Sequence, residues 1–223
     1  MNIKQITKKM PVIGQVALYF YHKFTFRDSE NYWINRYKTG GNSGAGSYNQ
    51  LAKFKSEILN KFVLQNDVGS IIEHGCGDGN QLNLAEYPEY IGFDVSPKAI
   101  TMCERLFEND KTKTFKLAKE YIKETAELAL SLDVIYHLVE DSVYIDYMNR
   151  LFDSAERFVI IYSSNTDNNS RNSARHVKHR KFSKWITDNR TDWELVEHIP
   201  NLYPFKGDNN TGSLADFYVY TKQ

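Results

Sequence analysis

Ile71-Ile72-Glu73-His74-Gly75-Cys76-Gly77-Asp78-Gly79-Asn80 begins as a short apolar run and ends in three glycines at alternate positions. A run of that kind, bounded by turn residues, predicts a strand buried on both faces. Glycines directly after it let the chain turn sharply and let backbone N–H groups come close to a ligand. The stretch Ile91-Gly92-Phe93-Asp94-Val95 repeats the strand signal and places an acid, Asp94, nineteen residues beyond Gly75. A carboxylate there can accept hydrogen bonds from both hydroxyls of a ribose, so the two stretches together predict a nucleoside-bearing cofactor. The dinucleotide fingerprint G-x-G-x-x-G would need glycine at position 80, where this chain has Asn80.

Outward from this turn, short β-branched runs alternate with helical stretches. Strands are expected over 70–73, 90–95, 114–117, 127–134, 157–163, 193–199 and 216–220, and helices over 97–107, 141–154 and 181–189. The alternation predicts an α/β, Rossmann-like fold, with a seven-stranded, mostly parallel sheet and helices on both faces. Between the last two strands lie only Pro200, Pro204 and a Gly/Asn-rich loop, which predicts a C-terminal antiparallel hairpin. Residues 1–66 are expected to form an N-terminal helical extension with a Gly-rich cap loop, and residues 67–223 the sheet domain. The polar loops 164–178 and 206–213 are long enough to be expected either functional or disordered.

The chain has 223 residues, 28 Lys+Arg against 28 Asp+Glu, and 41% hydrophobic residues. At this size folding hides roughly 70% of the unfolded surface, so neither disulfides nor metals are needed for stability. Cys76 and Cys103 lie in no zinc-type spacing, which excludes a disulfide framework and points to a reducing cytoplasm, with no metal site expected. Zero net charge provides no field for phosphate backbones, so no nucleic-acid partner is expected. Lys4, Lys8 and Lys9 precede an apolar stretch over 11–21, but Pro11, Gly14 and Gln15 interrupt it and argue against a signal peptide. Residues 1–25 read as a helix packed on the body, or as a basic amphipathic segment that makes peripheral contact with a membrane.

Glu73 at the strand end turns the glycine run into E-x-G-x-G-x-G, which resembles the first motif of class I S-adenosylmethionine-dependent methyltransferases. The acid at 94 and the terminal hairpin match that family over about residues 69–223. The resemblance implies S-adenosyl-L-methionine as cofactor and S-adenosyl-L-homocysteine as product. It implies that Glu73 orients the methionine amino group, that Gly75 and Gly77 line the amino-acid portion, and that Asp94 holds the ribose. Cys76, a small residue in the tight turn, joins Val95, Ser131 and Leu132 among the expected cofactor contacts. The family's adenine-contacting acid has no obvious counterpart after the third strand, where Glu120 is a stand-in; the alternative is apolar and backbone contact alone.

In an open parallel sheet the ligand crevice lies at the carboxyl ends of the strands. At the fourth of these ends stands Ser131-Leu132-Asp133-Val134-Ile135-Tyr136-His137-Leu138-Val139-Glu140-Asp141. It lacks the Asn/Asp-Pro-Pro-Tyr/Phe stretch typical of enzymes that methylate nitrogen on adenine, cytosine or glutamine, so planar-nitrogen methylation is disfavoured. A neutral alcohol needs a general base, and histidine titrates in the useful range. His137 and Asp133 are therefore catalytic candidates, with Tyr136 beside the acceptor. His176-Val177-Lys178-His179-Arg180-Lys181 is a second candidate cluster. It is either a solvated positive face or an acceptor wall in which His176 and His179 serve catalysis and Arg180 binds an anionic group.

The Gly-rich run from Tyr37 to Tyr48 reads either as a flexible linker between an N-terminal helix and the core or, with Asn42, Ser47 and Tyr48 set among glycines, as a loop that closes over the bound nucleoside. Tyr48 is counted with the acceptor contacts, and Tyr32, Trp33 and Tyr37 as apolar walls. These four segments together resemble small bacterial methyltransferases associated with surface-polysaccharide and capsule biosynthesis, over about residues 30–222. The resemblance implies O-methylation of a sugar, a nucleotide-linked intermediate or a capsular decoration, a small carbohydrate or phosphorylated acceptor, and no particular oligomeric state. The alternatives are another small molecule, a protein side chain, or cofactor binding without turnover.

Overall fold

The structure, a computed structural model, describes residues 26–169 and 174–223. The expected N-terminal helix or membrane-resting segment over 1–25 lies outside the described residues. Five helices are described: α1 Ser29–Lys38, α2 Asn49–Gln65, α3 Pro97–Leu106, α4 Asp141–Asp153 and α5 Phe182–Asn189. Their starts follow local chemistry. The Asp28 carboxylate accepts the Asn31 N–H at 2.7 Å, and Ser96 caps α3 with Pro97 at its first position.

Seven strands form one sheet: β1 Ser70–His74, β2 Glu89–Asp94, β3 Lys113–Leu117, β4 Ala126–Leu132, β5 Ala155–Ser163, β6 Trp193–Ile199 and β7 Asp216–Lys222. Their order is β3-β2-β1-β4-β5-β7-β6. The first five run parallel, and β7 lies antiparallel between β5 and β6. This is the expected Rossmann-like architecture with its terminal antiparallel pair. The fourth strand is shorter than expected, ending at Leu132 and not at 134, because Asp133 adopts a left-handed φ of 61° and turns the chain off the sheet.

Period-two alternation splits the apolar side chains between two cores. Ile71, Leu128, Leu130 and Ile160 pack with Phe54, Leu59 and Val63 of α2 and with Ile100 of α3. Ile72, Ala129, Val159 and Ile161 pack with Met148 and Leu151 of α4 and with Phe182 and Ile186 of α5. Leu59, Leu128 and Leu151 are wholly excluded from solvent, and cutting such a leucine to alanine costs about 2–5 kcal/mol. The chain leaves β1 toward β2 on one side and returns as β4 on the other. At that reversal the strand ends open a crevice.

Candidate functional site

The crevice is a cavity of about 420 Å³, within the range of small-ligand sites. Its floor is the glycine turn. The N–H groups of Gly75 and Cys76 both donate to the Phe93 carbonyl, at 2.7 and 3.0 Å, and so tie the turn to β2. Gly75 has φ 96°, and a Cβ there would meet Val134 Cγ2 at 2.4 Å. Gly77 has φ 62°, and a Cβ there would meet Ser43 Oγ at 2.3 Å. Only glycine lets both neighbours come that close.

Two carboxylates stand at this floor. Glu73 is 4% exposed and accepts the Tyr90 hydroxyl at 2.7 Å. Burial pushes its carboxyl up to about 7, against the pull of Tyr90 and of the Lys55 charge. Asp94 accepts the Gly77 N–H at 3.0 Å and the Ser96 N–H at 2.8 Å. Burial raises it to about 6, and those two N–H groups hold it down. Both line the cavity, as do Gly75, Cys76, Gly77, Val95, Leu132 and Asp133. Ser131, by contrast, is wholly buried with its Oγ 2.8 Å from the Tyr147 hydroxyl and lies beneath the cavity wall. The Cys76 thiol is raised above its usual value by the neighbouring Cys103 and by burial, which keeps it protonated and unreactive.

Leu117, Ala118, Lys119, Tyr147 and Arg150 also line the cavity, and the Tyr147 hydroxyl donates to the His74 carbonyl at 2.7 Å. Glu120 does not line the cavity; its carboxylate accepts the Leu117 N–H at 2.8 Å and stays exposed.

The Gly-rich segment is stitched onto the glycine turn. Ser43 N–H donates to Asp78 Oδ2 at 2.9 Å, Asp78 N–H returns to Ser43 Oγ at 3.0 Å, and Asn80 Nδ2 donates to the Ser47 carbonyl at 2.6 Å. Tyr48 spends its hydroxyl on Asp78 Oδ2 at 2.8 Å and lies outside the cavity lining, away from the acceptor contact expected of it. A Cβ on Gly46 would meet Asp133 Oδ2 at 2.5 Å, so the loop also covers the end of β4.

At that end Asp133 accepts Lys55 Nζ at 2.7 Å and the Tyr136 hydroxyl at 2.8 Å. Tyr136 therefore holds Asp133 and does not itself line the cavity. His137 does line it. Its Nδ1 lies 2.9 Å from the His176 carbonyl, and since a carbonyl only accepts, Nδ1 carries the proton and Nε2 carries the lone pair. Burial lowers the ring to about 4, so it is neutral at pH 7. Trp33 meets it edge-on at 4.9 Å, and the His176 ring stacks at 5.4 Å.

The second histidine cluster does not reach the cavity lining. His176 stacks on Tyr32 at 4.1 Å with Nε2 at 3.2 Å from its hydroxyl. His179 Nδ1 is 2.6 Å from Ser164 Oγ. Arg180, 9% exposed, donates to the Leu138 and Val139 carbonyls and to Asp141 at 2.8 Å, and lies 4.5 Å over the Tyr144 ring. Lys178 pairs with the same Asp141 at 2.6 Å. The cluster is a clamp on the segment between β4 and α4, where the sequence allowed an anion-binding wall.

Sequence reasoning missed Lys55, Gln81, His74, Tyr147 and Arg150, all of which line the cavity. Lys55 had a visible signal. It occupies the middle of the apolar row Leu51, Lys55, Leu59 at four-residue spacing, where a lysine is out of place. Among the described residues no group of three or more His, Cys, Asp or Glu could hold a metal, and no helix is long and apolar enough to cross a membrane.

No protein-family model matches the chain, and no curated protein matches it. Solved structures do. The N-methyltransferase NodS from Bradyrhizobium japonicum WM9, in complex with S-adenosyl-L-homocysteine, superposes with a TM-score of 0.67 at 14% identity, over 87% of this chain and 99% of that one. Magnesium protoporphyrin IX methyltransferase from Synechocystis PCC 6803, with bound S-adenosylmethionine, gives 0.63 at 13% identity over 88% and 98%. The methyltransferase domain of a bacterial Hen1 protein gives 0.58 at 18% identity over 77% and 98%. The chain thus has the Rossmann-like methyltransferase fold.

Proposed function

We propose that the protein is a methyltransferase that takes S-adenosyl-L-methionine and methylates a hydroxyl of a small ring-bearing acceptor, a sugar or a sugar-linked intermediate of the surface-polysaccharide or capsule type. The cofactor reading is carried by Asp94, a buried carboxylate clamped by two backbone N–H groups at the cavity edge. Its remaining lone pairs suit a ribose diol. The other lining residues fit the rest of the molecule. Glu73 suits an ammonium, and Leu117 and Ala118 suit a flat base.

The cofactor supplies a methyl group already activated by its sulfonium. What the chain must do is align the acceptor and take its proton. His137 is placed for the second task, with Nδ1–H held by the His176 carbonyl and Nε2 left to accept. The carbonyl also steadies the imidazolium that forms. Trp33 and Ile34 of α1, with Leu138, make the acceptor end apolar and aromatic, which suits the face of a sugar ring. Lys178 and Arg180 are already paired with Asp141, which favours an uncharged hydroxyl over a phosphorylated acceptor.

The test is release of S-adenosyl-L-homocysteine against sugars, nucleotide-sugars, phospho-sugars and peptides, with Trp33→Ala alongside. Turnover of carbohydrate hydroxyls, with a raised acceptor KM in Trp33→Ala, supports the reading. Turnover confined to peptides refutes the acceptor class, and cofactor binding without turnover of any of them refutes the enzyme.

A further inference from the structure

We propose that Lys55 and Gln81, two residues outside the glycine motif, hold the charged amino-acid end of the cofactor. Lys55 takes the carboxylate, and Gln81 shares the ammonium with Glu73. The inference rests on the cofactor reading above and goes beyond it in assigning that end of the site.

Lys55 is wholly excluded from solvent yet lines the cavity. An ammonium has three donors. One goes to Asp133 at 2.7 Å, and the Tyr162 ring, with its centroid 5.1 Å from Nζ, faces another side. A donor remains for a ligand. Of the other basic side chains in the lining, Arg150 donates to the Ala118 carbonyl at 3.2 Å and Lys119 follows that residue after β3, whereas the Lys55 charge acts directly on Glu73. A carboxylate brought to the Glu73 end therefore finds its cation in Lys55. Without one, that anion would be buried unpaired, which is strongly unfavourable.

Gln81 supplies an independent observation. It is 8% exposed, lines the cavity, and donates Nε2 to the Ala52 carbonyl at 3.1 Å. Its Oε1 is buried with no partner. Buried polar atoms are normally paired with protein, water or a bound group, and of the unpartnered ones among the described residues only those of Gln81 and Arg150 belong to residues of the cavity lining. Ala52 and Lys55 both belong to α2, so this helix presents the cation directly and fixes the orphaned carbonyl through Ala52. The arrangement makes α2 part of the cofactor site.

Calorimetry on the full chain separates this proposal from the reading beneath it. The two ligands are S-adenosyl-L-homocysteine and 5′-methylthioadenosine, which keeps the adenosyl thioether and lacks the amino-acid end. Failure of the unmodified protein to bind either ligand sinks the cofactor reading itself. Given binding, Lys55→Met is expected to weaken the homocysteine ligand by roughly 10- to 100-fold and Gln81→Met by roughly 10-fold, as for lost hydrogen bonds to charged groups. Methylthioadenosine affinity stays within about 2-fold, the error of such a comparison. Equal losses for both ligands, or none for either, overturn the proposal. Should Lys55→Met lose methylthioadenosine through misfolding, Lys55→Met/Asp133→Asn removes the buried pair together and takes the same two measurements. Loss of both ligands there as well assigns Lys55 to the scaffold and also overturns it.

Discussion

If Glu73 meets the cofactor ammonium as proposed, cofactor affinity should depend on pH in a direction that follows from its burial. The carboxyl, 4% exposed, has its titration pushed from 4.5 up to about 7. A folded-state value above the unfolded one means that the protonated form is favoured in the fold. The associated stability, about 3 kcal/mol, is complete below pH 4.5 and is lost as pH rises through about 7. Binding an ammonium reverses the preference, because the complex needs the ionised carboxylate. The ionised fraction rises from about 3% at pH 5.5 to about 76% at pH 7.5, so S-adenosyl-L-homocysteine should bind about 25-fold more tightly at the higher pH. Asp94, raised to about 6, adds to the trend through the ribose. Methylthioadenosine shares the ribose and lacks the ammonium, so the ratio of the two affinities isolates Glu73. Calorimetry at both pH values, in buffers of different ionisation enthalpy, should also detect proton release near pH 6.5 with the homocysteine ligand. Glu73→Gln should flatten the ratio. A ratio that does not change with pH, or a slope that survives Glu73→Gln, would refute the reasoning.

Gly75→Ala should destabilise the protein by about 2–4 kcal/mol in urea unfolding, since the left-handed backbone and the Val134 clash act together. Trimming the neighbour in Gly75→Ala/Val134→Ala should recover part of that loss. His137→Gln should lower kcat by roughly 100-fold or more while leaving S-adenosyl-L-homocysteine affinity unchanged, the signature of a lost proton acceptor. In the unmodified enzyme the His137-dependent part of the rate should fall as pH drops through about 4, where the ring becomes protonated. Arg180→Ala should cost about 2–4 kcal/mol of stability by stripping a buried guanidinium from two carbonyls and Asp141. It should not selectively impair phosphorylated acceptors, and a selective loss would return Arg180 to the acceptor wall.

The layered α/β architecture was legible because it rests on local signals. Ile71 and Ile72 pack in opposite cores, Ser96-Pro97 starts a helix, and the 200–215 stretch between the last strands lacks helical periodicity, so they pair antiparallel. The glycine turn and Asp94 were legible for the same reason, since backbone conformation and strand termination are written in consecutive residues. What could not be read along the chain is which side chains point at one another once the sheet has folded. His137 and His176 looked equivalent, yet one lines the cavity while the other contributes a backbone carbonyl to it, 39 positions away. Arg180 read equally as a solvated face or an anion site until its charge met Asp141, and Lys55, a lysine in an apolar row of α2, gained its partner only when packing set it against Asp133. The reason is physical. Strand and turn are set by near neighbours, whereas the state of a charge depends on partners brought together by packing and on the water that packing removes.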